Sequence, residues 1–131
     1  MTPTVHPFLM FEGNANDAID FYLSIFSNAE IVERKLYGPG EAGPEGTVNR
    51  AIFSIAGQSI MCIDSFVKHD FTFTPSFSLF VDCQTEDEIR RLTTALSENG
   101  AVLMPLDSYG FSRLFTWVND RFGVSWQLNL V

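Results

Sequence analysis

Cysteine, basic residues and long apolar runs are all scarce in this sequence. Its two cysteines, Cys62 and Cys83, are far apart and in no CxxC motif, so we expect reduced, buried thiols rather than a disulfide. Eight Lys and Arg stand against sixteen Asp and Glu, a net charge of −8. This charge disfavours binding to nucleic acid and to anionic membranes. No apolar run approaches the roughly 20 residues that cross a bilayer.

The amino-terminal segment MTPTVHPFLMFEG has no basic start followed by a long apolar stretch, so we do not expect a signal peptide. Together with the cysteine usage, this predicts a cytoplasmic protein. Apolar residues are plentiful, since they make up 46% of the 131 residues and include thirteen phenylalanines. Such a chain is large enough for one globular domain with a well-packed core, and some rings can instead line a pocket or a dimer contact.

The same order of secondary structure is predicted twice along the chain. In the first half, the strand VHPFLMFEG precedes a helix over about residues 15–27 and the strands AEIVERKLY, TVNRAIFSIAG and QSIMCID. In the second half, the strand SFSLFVDC precedes a helix and the strands AVLMPLD, SRLFTWV and VSWQLNL. Thr85 and Glu88 form a capping-box signature at the start of the second helix, and Gly100 is a good terminator. Pro105 predicts an edge strand or a bulge.

We therefore predict one α+β domain of two tandem βαβββ modules, each with its helix packed on one sheet face. Module one covers about residues 1–64, a linker covers 65–74, and module two covers about residues 75–131. In the last strand, alternation places one set of side chains beneath the helix and the other on the opposite face. The first set is Val124, Trp126 and Leu128, and the second is Ser125, Gln127 and Asn129.

Four segments resemble the vicinal oxygen chelate superfamily, which includes glyoxalase I, extradiol dioxygenases and bleomycin- and fosfomycin-resistance proteins. They are FEGNANDAIDFYLSIF, YGPGEAGPEGTV, FTFTPSFSLFVDC and NDRFGVSWQ. The closer resemblance is to the PhnB-like branch, also called demethylubiquinone methyltransferase-like. It implies curved, cup-like mixed sheets with the helices on the outer face. We do not expect methyltransferase activity, because no Gly-rich loop of the kind that holds a nucleotide cofactor lies between a strand and a helix.

Metal-using members of the superfamily hold a divalent ion in the cup with His and Glu ligands, so the resemblance implies where such ligands would lie. The glyoxalase positions fall on Pro7, Ser76, a site near Cys62, and Gln127. An amide oxygen is a much poorer ligand for a divalent ion than a carboxylate. We therefore expect no catalytic metal. The alternative is a shifted register that brings His6 together with Asp64 or Cys62.

Asp64 and Cys62 are candidate catalytic residues, each with a structural alternative. Asp64 ends a strand, where it caps the following turn or, if it faces the cup, acts as a general base or holds a substrate amine. Cys62 is either a small buried apolar residue or a nucleophile in need of a base. The loop over residues 38–46, rich in Gly and Pro, is either a lid or a flexible connector.

The candidate ligand-binding residues are Ser76, Gln127, Asn129, Arg50, Arg113 and Trp117. Ser76 and Gln127 fall on cup positions implied by the resemblance, where buried polar groups need partners. Arg50 and Arg113 lie in otherwise apolar strands. A guanidinium facing the cup would recognise carboxylate, phosphonate or phenolate oxygens, whereas one on the outer surface would pair with an acid. Trp117 contributes to an aromatic wall of the cup or to the core.

We predict a small-molecule binding protein that holds an aromatic or anionic ligand without a metal. The alternatives are a metal-dependent lyase, isomerase or dioxygenase of the same superfamily, and a dimeric interaction module with no ligand. We also expect a homodimer, because members of the superfamily commonly pair their cups across a two-fold axis. Phe66, Phe71 and Phe73 offer apolar contact surface for such pairing.

Overall fold

A computed structural model describes residues 2–131, which form two helices and eight strands. In chain order these are β1 (Phe8–Phe11), α1 (Ala15–Ile25), β2 (Ala29–Leu36), β3 (Val48–Ile55), β4 (Gln58–Asp64), β5 (Leu79–Cys83), α2 (Glu86–Ser97), β6 (Ala101–Asp107), β7 (Leu114–Asn119) and β8 (Ser125–Leu130). The predicted duplication of strand, helix and three strands is confirmed. One compact unit ends at His69 and the other spans Asp70–Val131, so the boundary lies within the predicted linker.

The first unit is a four-stranded mixed sheet with α1 packed on one face. The strand order is β1-β4-β3-β2, with β1 parallel to β4 and the other pairs antiparallel. The ring of Tyr22 on α1 stacks on Phe53, with 6.0 Å between centroids. Because cross-strand partners share a face, Ile60 and Cys62, which pair with Phe53 and Ala51, also lie on the helix side.

The second unit repeats this arrangement with α2 and the strand order β5-β8-β7-β6. Strands β5 and β8 are parallel and the remaining pairs are antiparallel. Helix α2 buries Ile89, Leu92 and Leu96, and the sheet buries Val118, Leu128 and Leu130. Both sheets are therefore mixed and each carries a helix on one face, as predicted.

Local signals define the two ends of α2. At the start, Thr85 Oγ1 accepts a hydrogen bond from the backbone N–H of Glu88 at 3.1 Å, so the predicted N-cap is confirmed. At the end, Asn99 has a φ of 59° and supplies the left-handed residue. Gly100 is needed for a different reason, because a Cβ there would lie 2.1 Å from the backbone oxygen of Asn119. The close approach of the α2–β6 connection to the end of β7, more than the end of the helix, requires glycine at this position.

Two proline positions explain where the strands differ from prediction. Strand β1 begins at Phe8 rather than Val5, because Pro7 has no N–H to donate to a ladder, although its carbonyl accepts from Met61 at 2.9 Å. Pro105 lies in β6, an edge strand with register shifts on either side of Met104. The predicted edge or bulge at Pro105 is therefore confirmed.

Both cysteines are buried free thiols, as expected. Within residues 2–131, no helix combines the length and the apolar character that crossing a bilayer requires.

Candidate functional site

The sheet of the second unit has one face beneath α2 and an opposite face, which we call the open face. Side chains alternate between these faces along each strand, and the register defines which residues share them. The open face carries Phe80 and Asp82 from β5, Ser125, Gln127 and Asn129 from β8, Phe115, Trp117 and Asn119 from β7, and Met104 and Asp107 from β6. The polar side of the last strand thus lies opposite the helix, as the alternation predicted.

Gln127 occupies the middle of the open face. It pairs with Phe80 on one neighbouring strand and with Trp117 on the other. Because neighbouring strands are about 4.8 Å apart, the two rings flank the amide closely. The side chain of Gln127 is half-buried, and its amide makes no hydrogen bond to the part of the chain that the structure describes. We call this line of side chains across the sheet, which continues from Trp117 to Met104, the central row. It presents an accessible, unpaired amide between two aromatic rings.

Trp117 is held in place by a chain of hydrogen bonds. Its Nε1 donates to Ser125 Oγ at 2.8 Å, and the hydroxyls of Ser125 and Ser78 are 2.7 Å apart. Ser78 Oγ in turn donates to the carbonyl of Pro75 at 3.1 Å. Ser125 thus has a structural partner on each side and serves to orient the indole.

Asn129 is also engaged at both ends of its amide. Nδ2 donates to Asp82 Oδ1 at 3.0 Å, and Oδ1 accepts from Ser112 Oγ. Only 8% of Asn129 is exposed. Of the three neutral polar residues on β8, Gln127 is therefore the one positioned to offer its amide to a ligand, while the other two organise the surrounding side chains.

Four aromatic residues, which we call the ring cluster, lie beside this row: Phe80, Tyr109, Phe111 and Phe115. The centroid of Phe115 is 6.4 Å from that of Phe80 and 5.1 Å from that of Phe111. Tyr109 stacks on Phe111 at 6.1 Å and donates its hydroxyl to the carbonyl of Pro105. Phe80 and Phe111 are 55% and 64% exposed. Large aromatic rings this exposed are typical of an interaction surface.

Two of the candidate ligand residues, Ser76 and Arg113, lie away from the centre of this face, and a third belongs to the other unit. Ser76 was predicted on the fifth strand, but β5 begins at Leu79 and Ser76 is exposed in the preceding turn, within 3.2 Å of the Thr74 hydroxyl. Arg113 is exposed one residue before β7. Arg50 belongs to the first unit, where its Nε lies 3.6 Å from Glu33 Oε1. Within the second unit, Ser76 and Arg113 therefore lie outside the strands that carry Gln127 and its neighbours.

Asp64, a candidate general base, directs its carboxylate to the backbone. Oδ1 accepts from the N–H groups of Gly13 and Ala15 at 2.8 and 3.0 Å, and Oδ2 accepts from Val48 at 2.9 Å. The residue is 3% exposed. It joins the start of α1 to the start of β3, so it caps a helix far away in the sequence rather than the turn that follows it, which was the predicted capping role.

Cys62, the candidate nucleophile, faces α1 and is fully buried. Burial raises the pKa of its thiol to about 12, and the nearby Asp64 carboxylate adds to the rise. Burial likewise raises the pKa of Cys83 to about 11, with a contribution from Glu88. Both thiols are therefore protonated near neutral pH, and neither is suited to nucleophilic attack.

The residues on the open face do not fit a divalent metal. Its central row offers an amide, two rings and the thioether of Met104, and its carboxylates Asp82 and Asp107 lie on strands at opposite edges of the sheet. Hard divalent ions need several converging oxygen ligands or imidazoles. The alternative pair is also unsuited, because both Asp64 oxygens accept hydrogen bonds from backbone N–H groups. His6 Nδ1 is buried without a hydrogen-bond partner in residues 2–131, but it would be the single available ligand of that pair. Across those residues, no three His, Cys, Asp or Glu side chains converge.

A separate pocket of about 270 Å³ lies in the first unit beside the start of α1. Glu12, Thr47 and Lys68 line it together with Asp64, whose oxygens are already bonded. The adjoining 38–46 loop is held by its own backbone, since Tyr37 N–H donates to Thr47 at 2.8 Å and Gly46 N–H donates to Tyr37 at 2.9 Å. This pocket lacks the aromatic row and the unpaired amide of the open face.

Sequence reasoning missed Ser78, Phe80, Asp82 and Ser112 as parts of the site. Phe80 and Asp82 carried a usable signal, because they alternate with Leu79, Val81 and Cys83 along β5. Ser112 carried none, since it belongs to a loop and meets Asn129 only in the folded chain. Alternation along the predicted fifth strand, SFSLFVDC, would therefore have found Ser78, Phe80 and Asp82.

Two βαβββ modules, each with a mixed sheet packed on one helix, define a protein of the vicinal oxygen chelate superfamily. The profile of one family, described as 3-demethylubiquinone-9 3-methyltransferase, matches residues 3–129. The chain belongs to this family, which is the PhnB-like branch of the superfamily.

Known proteins support this assignment along nearly the whole chain. The PhnB protein from Bacillus cereus is 52% identical, with a TM-score of 0.94, and the match covers 98% of this chain and 100% of that one. Protein YjdN from Escherichia coli K12 is 29% identical over 139 residues, covering 95% of this chain and 93% of YjdN. The fosfomycin-resistance protein FosX from Listeria monocytogenes is 17% identical with a TM-score of 0.66, covering 98% of this chain and 92% of FosX, and shares the fold.

Proposed function

We propose that the protein binds a small aromatic molecule on the open face, non-covalently and without a metal. The observation that carries this proposal is the Gln127 amide, which is accessible, unpaired and flanked by Phe80 and Trp117. A polar side chain in such a position recognises a hydrogen-bonding substituent, while the rings stack on the apolar part of the ligand.

The neighbouring hydrogen bonds support binding by holding the site in one arrangement before the ligand arrives. Trp117 is fixed through Ser125, and Asn129 is fixed through Asp82 and Ser112. Side chains that are already ordered lose little conformational entropy on binding, which otherwise costs about 0.5–1.5 kcal/mol for each flexible side chain. These internal hydrogen bonds therefore favour binding, because they order the side chains of the site before a ligand arrives.

Two alternative activities have weaker support. A metal-dependent lyase, isomerase or dioxygenase would need ligand oxygens and imidazoles where this face has an amide and rings. A methyltransferase that holds its cofactor in a Rossmann-like manner would need a Gly-rich connection from strand to helix. The β1–α1 connection contains Gly13 as its single glycine, and the β5–α2 connection is Gln84-Thr85.

The proposal is tested by screening a library of aromatic fragments, each with one hydrogen-bonding substituent, through tryptophan fluorescence. The chain has two tryptophans. Trp117 is on the open face, whereas Trp126 is 1% exposed in the core. Binding is expected to quench Trp117, and W117F should abolish the quenching. Gln127→Ala should weaken binding about fivefold, since a neutral hydrogen bond contributes about 1 kcal/mol.

Gln58→Ala is the matched control, because Gln58 is an exposed glutamine on a strand of the other unit. It should bind the same fragments as the unmodified protein. Gln127→Ala should also unfold at the same temperature as the unmodified protein, since its amide has no internal partner to lose. If no fragment binds, or if all of them bind Gln127→Ala and W117F with unchanged affinity in calorimetry, the proposed function is wrong.

A further inference from the structure

We infer that the ligand of the open face is a cation, namely a small aromatic amine in its ammonium form. This inference rests on the proposed function and adds the charge of the ligand. It follows from a second row of side chains, parallel to the row of Gln127. The register aligns Asp82 on β5, Asn129 on β8, Phe115 on β7 and Asp107 on β6.

The Asp82 carboxylate is oriented by the same network that fixes Asn129. Oδ1 accepts from Asn129 Nδ2 at 3.0 Å, and Ser112 holds the other end of that amide. Oδ2 makes no hydrogen bond or ion pair within residues 2–131, and the residue is exposed. One oxygen is therefore used to set the direction of the carboxylate and the other is available to a ligand N–H.

The ring cluster complements a positive charge for an independent reason. Aromatic faces carry partial negative charge and attract ammonium groups placed over them. Phe115 and Asp82 are separated by two strand spacings, about 10 Å, with Asn129 between them. Phe80 is exposed and lies two residues from Asp82 on the same strand, so a phenyl ring placed against it would extend a short amine arm toward Asp82.

On balance, the other charges around the open face also favour a cation. Asp107 ends the row on the far side and is exposed. Arg113, next to β7, is positively charged and opposes this preference, although no ion pair in the described residues joins it to either acid. Arg90 and Arg91 belong to α2, which packs on the opposite face. With a net charge of −8 for the chain, the long-range potential attracts cations as well.

The test uses three probes with the same phenyl ring and a different terminal charge: 2-phenylethylamine, 2-phenylethanol and phenylacetate. Their affinities are measured by isothermal titration calorimetry at neutral pH and low salt. The amine is expected to bind at least about fivefold more tightly than the alcohol, from one exposed ion pair together with the ring contacts. Phenylacetate should bind more weakly than the alcohol. Raising the salt concentration should reduce the difference between the amine and the alcohol.

Asp82→Asn is the decisive variant, because the amide keeps an oxygen for Asn129 and loses the charge. It should bring the affinity for the amine close to that for the alcohol and leave the alcohol unchanged. Asp87→Asn removes an equal charge from the first turn of α2 and should preserve the preference for the amine.

The outcomes separate this inference from the proposed function. If the alcohol and the amine bind equally, or phenylacetate binds best, while binding still depends on Gln127, the charge assignment is wrong and the proposed function stands. If Asp87→Asn removes the preference as fully as Asp82→Asn, the preference comes from the overall charge and the role of Asp82 is refuted. If none of the three probes binds while fragments of the library still bind in a Gln127-dependent manner, the amine assignment is wrong and the proposed function stands.

Discussion

Asp64 accepts three backbone hydrogen bonds while almost completely buried. A carboxylate that is removed from water costs free energy unless such donors replace its hydration, and here they do so at the positive end of a helix. The same side chain joins three segments: the start of α1, the start of β3 and the end of β4. Its hydrogen bonds therefore contribute to stability.

Asp64→Asn should lower the free energy of unfolding by about 2–3 kcal/mol, because the amide keeps one acceptor and points an N–H group at a backbone donor. Urea denaturation followed by circular dichroism measures the change. Asp17→Asn is the control, since Asp17 is exposed in the first turn of α1 and should cost about 0.5 kcal/mol or less. Equal stabilities for the two variants would contradict the structural role of Asp64.

At the scale of elements, α2 depends on its first turn because it is short and has a polar outer surface. Thr85 Oγ1 satisfies the N–H of Glu88, and Glu88 Oε1 accepts from the N–H of Gln84 at 3.0 Å. Glu86, Asp87 and Glu88 add negative charge where the helix dipole favours it. These interactions position the helix that covers the buried side of β7 and β8.

Thr85→Ala should destabilise the protein by about 1 kcal/mol, because the N–H of Glu88 loses its acceptor. Thr94→Ala is a matched control within the same helix, where the hydroxyl donates to the carbonyl of Arg90 at 3.0 Å. That substitution should be neutral or slightly stabilising, since alanine has the higher helix propensity. The unfolding temperatures of both variants are compared with that of the unmodified protein. If Thr94→Ala lowers the unfolding temperature as much as Thr85→Ala does, the stabilising role of the cap is contradicted.

At the scale of the whole molecule, exposed apolar side chains support the expected homodimer. Phe66 and Phe71 are 55% and 63% exposed, and each belongs to the linker predicted to contribute contact surface. Exposed rings of this size are costly in water unless a partner covers them. We therefore retain dimerisation as a proposal for the assembled protein.

Light scattering coupled to size-exclusion chromatography should give a mass of two chains for the unmodified protein. The double variant Phe66→Asp and Phe71→Asp should give a mass of one chain, because charge replaces the apolar contact. Phe111→Asp is the control, because Phe111 is equally exposed but belongs to the ring cluster rather than to the linker. This variant should keep the mass of two chains. A single-chain mass for the unmodified protein at all concentrations would rule out the dimer.

The sequence-based predictions were accurate for features that depend on residues close together in the sequence, and less accurate for positions transferred from other proteins. The N-cap at Thr85 and the edge strand at Pro105 depend on a few neighbouring residues, and both were predicted correctly. Ser76 was placed on the fifth strand by resemblance, yet that strand begins three residues later. Transferring a position between distant relatives fails at strand ends, where a local turn can displace the register.

The sequence by itself determined the two βαβββ modules and the division of β8 into an apolar and a polar side, because helical and strand periodicities are written in consecutive residues. Only the tertiary structure decided which polar groups are occupied. Asp64 meets Gly13 across 51 positions, and Asn129 meets Asp82 across 47. Such partners are brought together by the packing of strands and helices, and no local pattern specifies them. Packing therefore also decided that the amide of Gln127 has no hydrogen-bond partner within residues 2–131.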